Sequence, residues 1–269
     1  MVLKKWVLKN NFDFTNYNHF MPEITDYYFL ENNYSEEQVL IRNATRDWVN
    51  KHVKPNIEKH FQKAETPSYL IKELASIGAF GLIIPEKYGG VGADYISFGL
   101  MMQELERGDS SVRVISSIQT SLVMYAIYRF GSEKQKLKYL NKLATGEMLG
   151  AFGLTEPDFG SNPSSMHSYF KEEGDNIIIN GSKMWIGNAE TADIAIVWIK
   201  DQKGNVRGVI VETNKVTNFT TTTLKDKWSF RSSKTGELVF SGSVVPKEQV
   251  LAESESIQNA YKCLNIGRY

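Results

Sequence analysis

The chain has 269 residues, 42% of them hydrophobic and 23% charged, with Lys plus Arg and Asp plus Glu balanced at 31 each and a single cysteine. This predicts a folded globular protein with one large core or two smaller ones, and zero formal net charge excludes a global field that would recruit nucleic acid or an anionic membrane. Cys263 alone cannot build a disulfide framework, and neither the start MVLKKWVLKNNFDF nor any later stretch supplies the about eighteen apolar residues of a membrane span. The expectation is a cytoplasmic protein with no membrane insertion and no metal site.

Residues 1–34 read as an asparagine-rich extension. Ser35 and Gln38 then form a capping box before Ile41, Ala44, Trp48 and Val49, which share a face at helical spacing, so a helix should run to about His52. Thr66-Pro67 opens a second, with the stripe Leu70, Ile71 and Leu74 and an end at Gly78. YGGVG at 88–92 lacks the Gly-Lys-Ser/Thr of a phosphate loop and reads as a structural turn. Phe98, Met101, Met102 and Leu105 mark a third helix, residues 114–128 a fourth, and residues 132–143 a fifth, with a second capping box at Ser132 and Gln135. Residues 35–149 are therefore expected to be a helical domain.

Near Gly150 the apolar period changes from about 3.6 to 2. Strands are expected over 177–179, 182–187, 192–199, 206–212, 219–224 and 237–240, with Asn180-Gly181 as a type I′ hairpin turn. Their spacing suits a small sandwich or barrel over residues 150–250. Helical character resumes at about Ser256, making 251–269 the start of a further helical domain. The fold class is α+β, a helical domain followed by a small antiparallel β-domain.

Between the two regions lies FGLTEPDFGSNPSS, which begins at Phe152. Pro157 and Pro163 stiffen it, while Thr155, Ser161 and free backbone N–H groups could bind a polar heterocycle or phosphate. Read alone, it fits an inter-domain connector better, and Trp185 in KMWIGNA fits a packed strand tryptophan better.

FGLTEP, FGSNPSS and INGSKMWIGNA together resemble the acyl-CoA dehydrogenase flavoproteins. ASIGAFGLIIPEKYGGVGADY, MQELERGDSS, YRFGSEKQKLKYLNKLATGEML, KWSFRSSKTGELVF and VPKEQVL agree in order and spacing over roughly residues 35–269. SSLVMYAIYRFGSE with FGLTEP is most similar to the glutaryl-CoA dehydrogenase branch. The resemblance implies FAD as cofactor, with Phe152, Gly153, Leu154 and Thr155 against the flavin and Trp185, Ile186 and Gly187 beside it. It also implies substrate contacts by Ser161, by Arg113 with Val114 and Glu106, and by Asn265 and Arg268. Arg113 matches an arginine that meets the far carboxylate of the acyl chain; in isolation it is an ordinary helix arginine. Glu156 is a tempting base, but the family's base lies elsewhere.

Two departures stand out. Where the family has Thr or Ser bonding the flavin's reacting nitrogen, this chain has Gly187, a loss expected to slow hydride transfer roughly tenfold or less. Val114 replaces the branch's serine. The resemblance also places the catalytic base in a C-terminal helical domain, beyond Tyr269, so no residue here is expected to be that base and the isolated chain is expected not to turn over. The implied function is oxidation of an acyl-CoA, glutaryl-CoA in this branch, at Cα–Cβ with decarboxylation to crotonyl-CoA. Electrons would pass to an electron-transfer flavoprotein, and the chain would work as a homo-oligomer or with a separate C-terminal half, in the mitochondrial matrix if eukaryotic. The alternative is a non-catalytic acyl-CoA-binding or interaction protein derived from that family.

Overall fold

The computed structural model describes residues 27–268, so the asparagine-rich stretch as far as residue 26 and Tyr269 lie outside the described residues. Helix α1 (Glu36–Trp48) opens with the predicted reciprocal Ser35/Gln38 cap and runs on through a π-helical turn at Val49–Val53. Sequence reading missed α2 (Ile57–Lys63), which buries none of its residues and so carries no apolar stripe. After α3 (Leu70–Ser76), α4 (Tyr95–Gly108) is capped by Asp94, whose carboxylate accepts from the Ser97 N–H. An uninterrupted helical run follows: α5 (Ser110–Ser117), a π-helical segment Ile118–Met124 and α6 (Tyr125–Phe130). It starts at Ser110 rather than Val114 because Asp109 caps the Ser111 N–H. The second capping box starts α7 (Glu133–Ala144) as predicted.

The strands are β1 (Gly150–Gly153), β2 (Tyr169–Glu173), β3 (Asn176–Gly187), β4 (Ile194–Lys200), β5 (Val206–Glu212), β6 (Phe219–Thr223) and β7 (Thr235–Pro246), and α8 (Ile257–Gly267) closes the described chain. They form one curled, mostly antiparallel seven-stranded sheet, whose two parts meet where β2 pairs β4 in parallel at Tyr169 and Lys200. β2, β3, β7 and β6 are antiparallel neighbours, β5 is antiparallel to β4, and β1 joins β4 in parallel. Every described residue of β4 except Lys200 is buried, and its alternation separates two cores. Ile194, Ile196 and Trp198 face a cluster with Phe130 and Tyr139, and Ala195, Val197 and Ile199 face one with Ile179, Val209 and Phe240.

The expected Asn180-Gly181 hairpin is not there. β3 runs straight through it, and the hairpin turn lies before β3, at Gly174-Asp175 between β2 and β3, where the Gly174 φ is 59°. Asn180-Gly181 instead marks a register shift against β7, with Ile179 opposite Ser243 and Asn180 opposite Ser241. Glycine is required at 181 because a Cβ there would lie 2.2 Å from the Ser168 Oγ. The Asn180 Oδ1 is used to accept the Gly242 N–H at 2.9 Å.

The two halves are tied together by buried contacts. The Tyr139 hydroxyl of α7 donates to Glu212 of β5 at 2.6 Å, and the Lys138 Nζ lies 2.7 Å from the same oxygen. Burial pushes the Glu212 carboxyl up, but hydrogen bonds from Lys138, Lys215 and Tyr139 outweigh it and hold it at about 2. α8 sinks Ala260 and Cys263 into the core it shares with α6, and burial pushes the Cys263 thiol far up, leaving it unreactive. Among the described residues no helix is long and apolar enough to cross a membrane, and no group of three or more His, Cys, Asp or Glu could hold a metal ion.

Candidate functional site

β1 ends at Gly153 and the chain leaves the sheet through Leu154-Thr155-Glu156. Its carbonyl at Thr155 accepts the Met184 N–H at 2.8 Å, which ties this loop to the end of β3. There the β3–β7 pairing slips: Lys183 is opposite Leu238, yet Ile186 is opposite Gly236, so three steps on β3 face two on β7. The extra residue is absorbed by a bulge with Trp185 in the left-handed region, φ 63°. For a bulky side chain that backbone is rare and strained, and bulges of this kind re-aim a side chain. The Trp185 indole is accordingly turned out of the sheet and is 63% exposed. Asn188, also left-handed, locks the strand end by donating its Nδ2 to the Gly150 carbonyl at 3.0 Å.

The indole faces a cavity of about 710 Å³, within the roughly 300–1,000 Å³ of cofactor and ligand pockets. Phe152, Leu154 and Thr155 wall it on the β1 side, and Trp185, Ile186 and Gly187 on the β3 side. Val114, Ile118 and Leu122 of the long helical run and Leu264 of α8 close the helical side. Ile118 packs close over Gly187: a Cβ there would lie 2.3 Å from the Ile118 Cδ1. A Thr or Ser at 187 would require the Ile118 Cδ1, the end of a flexible side chain, to turn aside.

Beneath the wall lies a buried ion pair. The Lys183 Nζ, on a side chain with no exposed surface, donates to the Glu156 Oε1 at 2.7 Å and to the Leu154 carbonyl at 3.3 Å. Glu156, 5% exposed, also accepts the N–H groups of His167 at 2.7 Å and Ser168 at 3.0 Å. Burial pushes Lys183 down to about 8 against the opposing pull of Glu156. Burial pushes Glu156 up, but the Lys183 charge and these hydrogen bonds outweigh it and hold the carboxyl low. Both charged forms gain from the pair; for the ammonium burial outweighs that gain, and for the carboxylate it does not. Two backbone donors reinforce the charged form of the carboxylate. Glu156 is thus engaged by Lys183 and by two backbone N–H groups.

Of the residues singled out from sequence, the structure gathers Phe152, Leu154, Thr155, Trp185, Ile186, Gly187 and Val114 around the cavity. Gly153 sits just under it, where a Cβ would lie 3.2 Å from the Lys183 Cγ. Arg113, Glu106, Ser161, Asn265 and Arg268 are not among the lining residues. The half-buried Arg113 Nε lies 3.8 Å from the Glu106 Oε2, and Glu106 also accepts from the Ser110 hydroxyl. Ser161 is exposed on the connecting loop. Arg268 donates to the Asn265 Oδ1 at 3.1 Å, and both are exposed beside Leu264.

Sequence reading missed the opposite wall, residues 224–230 with Ser233 and Thr235. The Lys227 Nζ organises it, donating to the carbonyls of Phe230 at 2.8 Å and Ser233 at 2.7 Å and to the Thr235 hydroxyl at 2.9 Å. Asp226 and Phe230 take left-handed backbone, and the Trp228 indole stands 96% exposed. The signal was the aromatic and polar mixture DKWSFRSSK between two strands, too rich in large side chains for a plain turn. The Ile118 and Leu122 wall also had a signal, the four-residue step from Val114, but that step reads equally as core.

The sequence profile of the acyl-CoA dehydrogenase N-terminal domain matches residues 35–147, and that of the acyl-CoA dehydrogenase middle domain matches residues 151–243. An acyl-CoA dehydrogenase of Bacillus subtilis (strain 168) is 37% identical over 239 residues, covering 87% of this chain and 63% of its own length. A glutaryl-CoA dehydrogenase of Desulfococcus multivorans is 35% identical over 235 residues, covering 83% and 59%. The structure of a glutaryl-CoA dehydrogenase from Mycobacterium smegmatis in complex with FADH2 superposes with a TM-score of 0.87 at 39% identity, over 90% of this chain and 62% of that one. The chain thus spans less than two thirds of the length of these relatives. With both domain profiles matched in order and the fold shared, the chain belongs to the acyl-CoA dehydrogenase family.

Proposed function

We propose that the cavity holds the isoalloxazine of FAD and that the whole protein is an acyl-CoA dehydrogenase acting on glutaryl-CoA. The observation that supports this most is Trp185, held by a bulge in left-handed backbone so that its indole forms the wall of a largely apolar cavity. A flat heterocycle suits that wall, with Phe152 and Leu154 below it and the Thr155 hydroxyl as a polar handle. Bound there, FAD supplies the two-electron acceptor for Cα–Cβ oxidation, with an electron-transfer flavoprotein as the onward acceptor. The chain's own residues orient the ring and exclude water from its face. Titration of the chain with FAD, followed by flavin fluorescence, is expected to show saturable binding that Trp185→Ala weakens about tenfold or more. Equal affinity in the variant would place the ring elsewhere.

The glutaryl preference rests on Arg113, half-buried one residue before the lining Val114 and engaged by Glu106 across 3.8 Å. A charge-assisted contact to the distal carboxylate is worth roughly ten- to a hundred-fold in selectivity. Arg113→Ala in the active protein is expected to reduce the preference for glutaryl-CoA over butyryl-CoA by that factor in kcat/KM. Equal losses on both substrates would make Arg113 structural.

A further inference from the structure

One buried contact lies directly beneath the segment that carries the cavity's tryptophan. The bulge begins immediately after Lys183, and the loop that receives the Met184 N–H is the one whose Leu154 carbonyl and Glu156 carboxylate hold the Lys183 ammonium. Glu156 in turn grips the N–H groups of His167 and Ser168, just before β2. One ion pair therefore joins the ends of β1 and β3 and the approach to β2, with Trp185 two residues from the ammonium.

We propose that Lys183 and Glu156 are positioning residues, a buried ion pair that sets the left-handed backbone of Trp185 and the height of the Leu154–Thr155 wall, and thereby the affinity of the cavity for its ring. The proposal rests on the flavin reading above for its ligand but not for its geometry. The stem of Lys183 packs under Gly153, and a hydrophobic replacement would fill that space as well. What such a replacement loses is the directed grip on Leu154 and Glu156. Neither residue touches the cavity surface, so neither is a catalytic residue.

The pair makes the site sensitive to alkali. The ammonium faces the Glu156 carboxylate and the Leu154 carbonyl from the loop after β1 and the Met166 sulfur at 3.8 Å, while the positive charge of Lys200 at the end of β4 opposes it. With burial bringing Lys183 down to about 8, the proton leaves as the pH rises through that value and the grip is lost. Removing the carboxylate's charge removes the partner that holds the proton on, so the loss moves to lower pH.

The test is FAD affinity across pH 6 to 10 in the wild-type chain, Lys183→Met and Glu156→Gln, with the indole N–H resonances followed in parallel without FAD. In the wild type, affinity is expected to fall as the pH rises past about 8. Lys183→Met is expected to bind about tenfold more weakly at neutral pH and to lack that alkaline fall. Glu156→Gln is expected to shift the fall to lower pH. The Trp185 resonance, identified through Trp185→Phe, is expected to move in Lys183→Met, while those of Trp48 and Trp198, fully buried in separate cores, stay in place. Wild-type-like affinity with an unmoved Trp185 resonance in Lys183→Met overturns the proposal. Should that variant not fold, an unshifted alkaline fall in Glu156→Gln overturns it. If the wild type takes up no FAD, the flavin reading falls, and the Trp185 resonance still decides the positioning role.

Discussion

Gly236→Ala is expected to destabilise the protein by about 3 kcal/mol, the upper end for overpacking, and to weaken the cavity's ligand with it. A Cβ at this position would lie 1.7 Å from the Thr222 carbonyl oxygen, 2.8 Å from its carbon and 3.2 Å from the Ala189 Cβ. The first two are backbone atoms, so no rotamer change relieves the collision and β6 must part from β7. Gly236 also stands opposite Ile186, at the far side of the bulge that carries Trp185, so the displacement reaches the cavity wall. At roughly 2–4 °C per kcal/mol for a chain of this size, the thermal midpoint should drop by about 6–12 °C. Gly99→Ala is the control: nothing lies within 4 Å of a Cβ there, in the middle of α4. It should raise stability by about 0.5–1 kcal/mol through helix propensity. Calorimetry on both variants checks this, and equal midpoints would mean that the strands separate freely at Gly236.

The helices were legible because their signals are local. Both capping boxes are formed as the sequence predicts, each by two residues three apart that satisfy one another's backbone before any tertiary contact exists. The strand pairing was legible only in part, because its determinants are distant. Asn180-Gly181 carries the local chemistry of a turn, yet what decides its conformation is Ser168, pressed against Gly181 from another segment, and Gly242 on the partner strand. Residues of β2, with the sequence YFKEE, offered no alternation strong enough to be seen, since only Phe170 is buried.

The candidate site divides the same way. Trp185 could be placed beside a flavin from family resemblance, but from the residues alone a core tryptophan was the better guess, because nothing in KMWIG announces a bulge. The bulge arises from a mismatch with β7 that a single strand does not encode. Lys183 and Glu156 were equally opaque. Glu156 reads as a tempting base and Lys183 carries no signal of its own, and only the fold brings them to 2.7 Å in a buried setting. The wall of residues 224–230 was hidden because its order comes from Lys227 bonding backbone carbonyls, a role a lysine's sequence context does not reveal.

Glu104→Ala is expected to cost about 3 kcal/mol, at the low end for breaking a buried ion pair. The Glu104 carboxylate, 1% exposed, is bound on one oxygen by the Arg46 Nε at 3.1 Å and Nη2 at 2.6 Å and on the other by the Arg107 Nε at 2.8 Å. The loss falls at the low end because both arginines keep some solvent contact, with side chains 32% and 20% exposed, and can rehydrate. Burial pushes this carboxyl up, but the hydrogen bonds from Arg46 and Arg107 outweigh it and hold it below its usual 4.5. Its folded-state value lies below the unfolded one, so its stabilisation is present above about pH 4.5 and is lost as the pH falls through the depressed value. Urea unfolding at pH 7 and pH 3 should therefore show a large gap between wild type and Glu104→Ala at the higher pH and a smaller one at the lower. A gap that does not change with pH would assign the cost to lost packing instead of charge. The consequence extends to the site, because the clamp fixes α4 against α1 and the chain turns at Asp109 directly into α5, which carries Arg113 and Val114. Loosening α4 frees the start of the helical run whose Ile118 presses on Gly187, so ligand affinity should fall in Glu104→Ala although the substituted residue lies outside the cavity wall.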